Sequence, residues 1–129
     1  MGLLNKLFGG SNHEPDIQDL PWNALTDEIQ IDNIKKRSEG KAQIIFKHSS
    51  RCGISQMVLN RFKKAYDLSE NQVDLYFLDI IDYRSVSNAI AEIFGVTHES
   101  PQLLIIKNEI VVKHDSHNGI NTINLDQYI

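Results

Sequence analysis

The chain has 129 residues, 41% hydrophobic and 23% charged, with a net charge of -4 when its five histidines are counted neutral. That is the make-up of a single water-soluble globular domain, and neither the acidic balance nor the scattered lysines and arginines suit a nucleic-acid binder. The single cysteine excludes an intrachain disulfide framework and fits a reducing compartment.

The opening stretch Met1 to Gly10 is apolar in places but too short and too broken for a secretory core or a membrane span. A cytoplasmic protein without an integral membrane segment is therefore expected. Lys6 stands where a myristoylation motif wants Ser or Thr. Leu3, Leu4, Leu7 and Phe8 share one helical face, read as a loosely held or docked arm rather than a membrane or partner contact. Residues 9–16 are polar and rich in breakers. The expected organisation is an arm and linker over 1–16 and one domain over 17–129.

Pro21 and Trp22 open a short segment through Leu25 that suits an edge strand. Ile31 and Ile34 predict a short helix to Ser38, with Asp32 as its cap, Gly40 after its end, and Lys35, Lys36 and Arg37 on a solvated face. Gln43 to Phe46 is a buried strand, apolar without alternation. A polar loop and a helix from near Cys52 to about Tyr66 follow, with Ile54, Met57, Val58, Phe62 and Ala65 as its core face. Asp74 to Ile80 is the next strand; Asp79 within it is either a buried proton shuttle or, the preferred reading, a strand-end residue pointing outward. Val86, Ala89, Ile90, Ile93 and Phe94 form a helical stripe that Gly95 ends. Pro101 precedes a third apolar strand, Leu103 to Ile106. Lys107 to Glu109 turn the chain into a return arm, Ile110 to Lys113, and Thr122 is expected to cap a final helix of about two turns. Strands joined through helices run parallel and the closing hairpin is antiparallel, so the fold class is α/β, a mixed central sheet flanked by helices.

The chemistry concentrates at Cys52, where a strand and loop meet the start of a helix. Unpaired N–H groups and the helix dipole favour the thiolate there, and the thiolate is the nucleophile. Ser55, three residues on, shares a helical face with Cys52 and is placed to donate a hydrogen bond toward the sulfur. It cannot form a disulfide, so a mixed disulfide on Cys52 must be resolved by a thiol from another molecule. Lys47 and Arg51 are candidate cations beside the thiol, Arg51 the better of the two. His48 is a candidate base, with a histidine satisfied by backbone as the simpler reading. His114 and His117 bracket Asp115, too thin a set for a zinc site.

The block Ile45-Phe46-Lys47-His48-Ser49-Ser50-Arg51-Cys52-Gly53-Ile54-Ser55, with Pro101 opening the third strand, resembles the single-cysteine members of the bacilliredoxin group. The resemblance runs over roughly residues 20–129 and implies a thioredoxin-like fold carrying an N-terminal extension. It implies Cys52 as nucleophile, Ser55 in place of a resolving cysteine, Pro101 as a cis-proline, and Ser100 offering its backbone to the incoming disulfide. Arg51 and Gly53 would flank the bound substrate, with Gly53 standing where this group carries proline. The implied activity is thiol-disulfide exchange that removes bacillithiol from client proteins, with bacillithiol as co-substrate, no tightly bound cofactor or metal, and a low-molecular-weight thiol or partner oxidoreductase resetting Cys52. Two alternatives stay open: an iron-sulfur carrier of the monothiol-glutaredoxin kind, which Gly53 favours, and a non-catalytic binding module with an incidental thiol.

Overall fold

A computed structural model describes residues 20–129; the arm and linker expected over 1–16, including the face of Leu3, Leu4, Leu7 and Phe8, lie outside the described residues. The chain forms β1 (Trp22–Ala24), α1 (Ile29–Arg37), β2 (Ala42–His48), α2 (Gly53–Ala65), β3 (Val73–Asp79), α3 (Arg84–Phe94), β4 (Gln102–Lys107) and β5 (Ile110–Ser116). Two short 3-10 helices, His117–Thr122 and Leu125–Tyr128, close it. The sheet is five-stranded in the order β1-β3-β2-β4-β5. β1 and β2 run parallel to β3, while β4 is antiparallel to both β2 and β5. The sheet is mixed as expected, but the third apolar strand, Leu103 to Ile106, expected to run parallel because a helix leads to it, is antiparallel to β2. α3 and the segment after Gly95 bring the chain back to the sheet end where β2 and β3 finish, so β4 starts there and runs the other way.

Both faces of the sheet are covered, which is why β2 and β4 read as continuous apolar runs. On one face, Ile31 and Ile34 of α1 and Val86 and Ile90 of α3 pack on Ile45, Leu78 and Leu104. On the other, Val58, Leu59 and Phe62 of α2 join Ile120 over Ile44, Phe46, Leu103 and Ile105. Trp22 on edge strand β1 closes this second core, its ring meeting Phe77 at 5.2 Å and Phe46 at 6.1 Å. Gly95 ends α3 in the left-handed conformation, φ 68°, as its position after the apolar stripe predicts. The hairpin turns at Asn108 and Glu109, both at positive φ, and Ser38 braces it by accepting both their amides at 2.8 Å.

Several expected boundaries and faces are corrected. β2 extends two residues past Phe46, so Lys47 and His48 are strand residues buried on opposite faces, not loop residues. α1 starts at Ile29, where Asp27 rather than Asp32 accepts the first amide, 3.0 Å from Ile29. The buried face of α2 is Ser55, Val58, Leu59 and Phe62, leaving Ile54 58% and Met57 54% exposed and Ala65 exposed. The register that puts Leu59 and Phe62 on the sheet turns Ile54 and Met57 outward, because a helix of period 3.6 can seat only one such stripe. The final helix is replaced by the two 3-10 turns. Ile120 and Ile123, three apart, both face the core, a spacing that suits three residues per turn. Thr122 ends the first turn, its hydroxyl donating to the Gly119 carbonyl at 2.7 Å, and Asn124 caps the second.

Candidate functional site

Register assembles the site. Lys47 of β2 lies opposite Gln102 of β4, so the loop leaving β2 and the turn entering β4 emerge at the same end of the sheet. The first carries Cys52 and the second Ser100–Pro101.

Cys52 is the N-cap of α2, extended at φ -116° and ψ 121°, and half-buried. Its carbonyl accepts the first helical bond from Gln56 at 3.1 Å, and its amide donates to the Ser49 carbonyl at 3.2 Å. The thiol therefore sits where the first turn of α2 leaves its amides without helical partners, with the positive end of the helix dipole behind it. Arg51 and Gly53 flank it and are exposed. A Cβ added at Gly53 would meet nothing within 4 Å, so the fold does not require glycine there.

Ser55 is fully buried beneath this loop. Its Oγ lies 2.8 Å from His48 Nδ1 and accepts the Ser49 amide at 3.1 Å. The expected hydrogen bond toward the Cys52 sulfur is replaced by this pair: the hydroxyl is engaged by the strand end and the loop. With Ser49 in turn accepting from Cys52, the order His48–Ser55–Ser49–Cys52 ties the thiol loop to the end of β2. His48 is itself buried, stacked at 5.4 Å on Phe77. Burial pushes its pKa below the usual histidine value, opposed by Asp79 beside it and assisted by Lys63, which favours the neutral imidazole. Asp79 pairs with His48 across β2 and β3 and accepts the Ile81 amide at 2.9 Å; it is a strand-end residue that holds the following turn.

Lys47 does not accompany the thiol. The alternation of β2 sends it to the opposite face, where it is fully buried and its Nζ donates to the Ser87 carbonyl at 3.3 Å and lies 3.4 Å from His98 Nδ1. Of the two expected cations only Arg51 remains on the thiol's loop.

The Ser100–Pro101 peptide bond is cis, as the family resemblance implied. Pro101 is buried, and its carbonyl accepts the His117 amide at 3.0 Å. His117 takes up φ 55°, a left-handed conformation uncommon for a residue with a side chain, and so bends the end of β5 toward the turn that carries Ser100. The Asp115 carboxylate accepts the Ser116 amide at 2.8 Å and lies against Gly119, where a Cβ would fall 2.6 Å from Asp115 Oδ2. His117 and Asp115 serve this bend, while His114 is an exposed residue of β5 opposite Leu104; among the described residues no group of three His, Cys, Asp or Glu side chains is arranged to hold a metal. No helix of the described residues is long and apolar enough to cross a membrane.

Sequence reasoning missed the His48–Ser55 pair, the burial of Lys47 and its contact with His98. The available signal was the apolar run of β2 followed directly by two polar residues: alternate positions of one strand face opposite layers.

Residues 23–125 match the sequence pattern of the family described as "Monothiol bacilliredoxin BrxC". Among solved structures, a protein assigned as an oxidoreductase with a thioredoxin fold is 30% identical, with a TM-score of 0.70 over 84% of this chain and 93% of that one. The thioredoxin of Malassezia sympodialis is 15% identical, with a TM-score of 0.66 over 91% of this chain and 97% of its own. The thioredoxin of Trichomonas vaginalis is also 15% identical, with a TM-score of 0.63 over 82% and 94%. The last two similarities speak to the fold, which is that of thioredoxin.

Proposed function

The chain belongs to the monothiol bacilliredoxin family, and from that membership we propose that it removes bacillithiol from mixed disulfides on client proteins, with Cys52 as the nucleophile. The observation that carries the proposal is a lone, half-exposed thiol at the N-cap of α2 with a serine, not a second thiol, at the position three residues on. Such a site performs one exchange and then needs an outside thiol.

The Cys52 thiolate attacks the bacillithiol sulfur of the client disulfide. A Cys52–bacillithiol disulfide forms, the client–bacillithiol bond breaks, and the client sulfur leaves as a thiolate that takes a proton from water. A second bacillithiol thiolate, or a thiol of a partner oxidoreductase, then attacks the adduct, releases a bacillithiol disulfide or its mixed equivalent, and regenerates Cys52. Arg51, exposed on the loop, supplies positive charge for an anionic thiol substrate. The exposed Ile54 and Met57 provide apolar contact for a client beside the sulfur. Ser100, next to Pro101, offers main-chain hydrogen bonds to an extended segment. A single unprotected thiol fits a reducing compartment, and we place the reaction in the cytoplasm.

The test is mass spectrometry after exposure to bacillithiol disulfide, followed by titration with reduced bacillithiol. The expected result is one bacillithiol added at Cys52 and removed by the reduced thiol, with Cys52→Ser folded, unmodified and inactive toward a bacillithiolated client. A reduced, accessible Cys52 that forms no adduct refutes the transfer reading. A coloured dimer on anaerobic reconstitution with iron and sulfide, combined with no adduct, assigns the thiol to a cluster instead.

A further inference from the structure

Lys47 is a fully buried cation, and among the described residues no carboxylate pairs with it. Its contacts are the Ser87 carbonyl on α3 at 3.3 Å and His98 Nδ1 at 3.4 Å, and the Ser87 hydroxyl lies 3.0 Å from the same nitrogen. Its cross-strand partner Gln102 donates to the Thr97 carbonyl at 3.0 Å. Two adjacent sheet residues thus hold Thr97 and His98, the segment immediately before Glu99, Ser100 and Pro101. Burying an ammonium is costly, and an apolar side chain would fill this position beside Ile45 and Leu104 without that cost. What Lys47 adds is a set of directed donors between the strand that leads to Cys52 and the turn that faces it. The neighbouring residue His48 does the same on the other face, through Ser55 and Ser49.

We infer that Lys47 is a positioning residue of the exchange site: through Ser87 and His98 it sets the location of Ser100 and Pro101 relative to Cys52. The inference rests on the exchange reading of Cys52 given above. Consecutive residues of β2 then fix the two walls of one cleft, His48 the thiol loop and Lys47 the turn opposite. The arrangement has a chemical condition. His98 Nδ1 can accept from the Lys47 ammonium only while the imidazole is neutral, and burial, Lys47 and Arg84 all push the His98 pKa down, against Glu99.

Lys47→Met and His98→Ala test it, the second in case a methionine repacks the core. The rate of transfer from a peptide disulfide-bonded to bacillithiol, the alkylation of Cys52 by iodoacetamide, and NMR of the Ser100 amide are measured for each, and NMR of the His98 ring for the wild type and Lys47→Met. In both variants the half-saturating peptide concentration should rise about tenfold with the maximal rate changed less than about twofold, since misplaced docking groups weaken productive binding. Alkylation, which needs no docked peptide, should stay unchanged. The Ser100 amide resonance should move, and in Lys47→Met the His98 titration midpoint should rise as the facing positive charge is lost. Folded variants with unaltered half-saturation, or a Ser100 amide and His98 midpoint that do not move, overturn the inference. Wild-type protein that transfers nothing refutes the exchange reading instead, and the NMR measurements then decide the positioning claim alone.

Discussion

Replacing Ser55 by alanine takes the pivot out of the thiol loop. The hydroxyl is fully buried and meets two groups, His48 Nδ1 at 2.8 Å and the Ser49 amide at 3.1 Å. Ser49 is half-buried and can recover a water molecule, but Nδ1 of the buried His48 cannot. One orphaned buried polar group costs about 1–3 kcal/mol. For a folded body of roughly 110 residues the unfolding entropy makes 1 kcal/mol worth about 4 °C, so Ser55→Ala should lower Tm by about 4–12 °C with Cys52 kept reduced. The pairing is isolated by His48→Phe, which keeps a ring on Phe77 and discards the nitrogen. The double variant should be less destabilised than the sum of the singles by about 1 kcal/mol, read by urea or thermal unfolding. A Tm loss under about 1 °C for Ser55→Ala, or singles additive within about 0.3 kcal/mol, would refute the claim that this hydrogen bond braces the loop.

Burial lowers the Lys47 pKa from 10.5 to about 8. Between those values the unfolded chain holds a proton that the folded chain has released, so stability should climb as pH rises through this window. The gain between about pH 7 and about pH 9.5 is about 2 kcal/mol; urea midpoints should show it in the wild type and lose it in Lys47→Met. Above pH 10 Tyr66, pushed up to about 12 mainly by burial, acts in the opposite sense, which confines the measurement to the lower part of the window. Gly53→Pro should stabilise by about 0.4–1 kcal/mol, because proline suits the first helical position, Cys52 before it is already extended, and a Cβ meets nothing; a fall in Tm contradicts this. Gly119→Ala should cost about 0.5–1.5 kcal/mol, because the Asp115 carboxylate must turn away from the added Cβ and give up its bond to the Ser116 amide, and most of that loss should vanish in an Asp115→Ala background when both are compared by chemical denaturation.

Local chemistry in the chain was enough to place the strands, the hairpin, the thiol at the opening of a helix, and the α3 stripe with its Gly95 cap, except that Ile93, read as part of that stripe, is 47% exposed. Each depends on residues close together: an apolar run, a 3.6-residue period, a glycine able to take φ 68°, a cysteine that follows a buried strand and a polar loop. The family resemblance supplied the cis bond at Pro101, which spacing alone does not contain. Faces were harder to read. Ile54 and Met57 carry the same helical spacing as Leu59 and Phe62, and only the docking of α2 on the sheet decides which stripe is covered. Lys47 and His48 look like loop polar groups because their partners, His98 and Ser87 for one and Ser55 for the other, come from different layers of the fold. A buried polar side chain is tolerated only where such partners converge, and convergence across layers is a property of the packed chain, not of any local segment. Sequence alone determined that a lone thiol sits at a helix start; tertiary structure decided which polar neighbours hold its loop, because hydrogen bonds reward proximity in space.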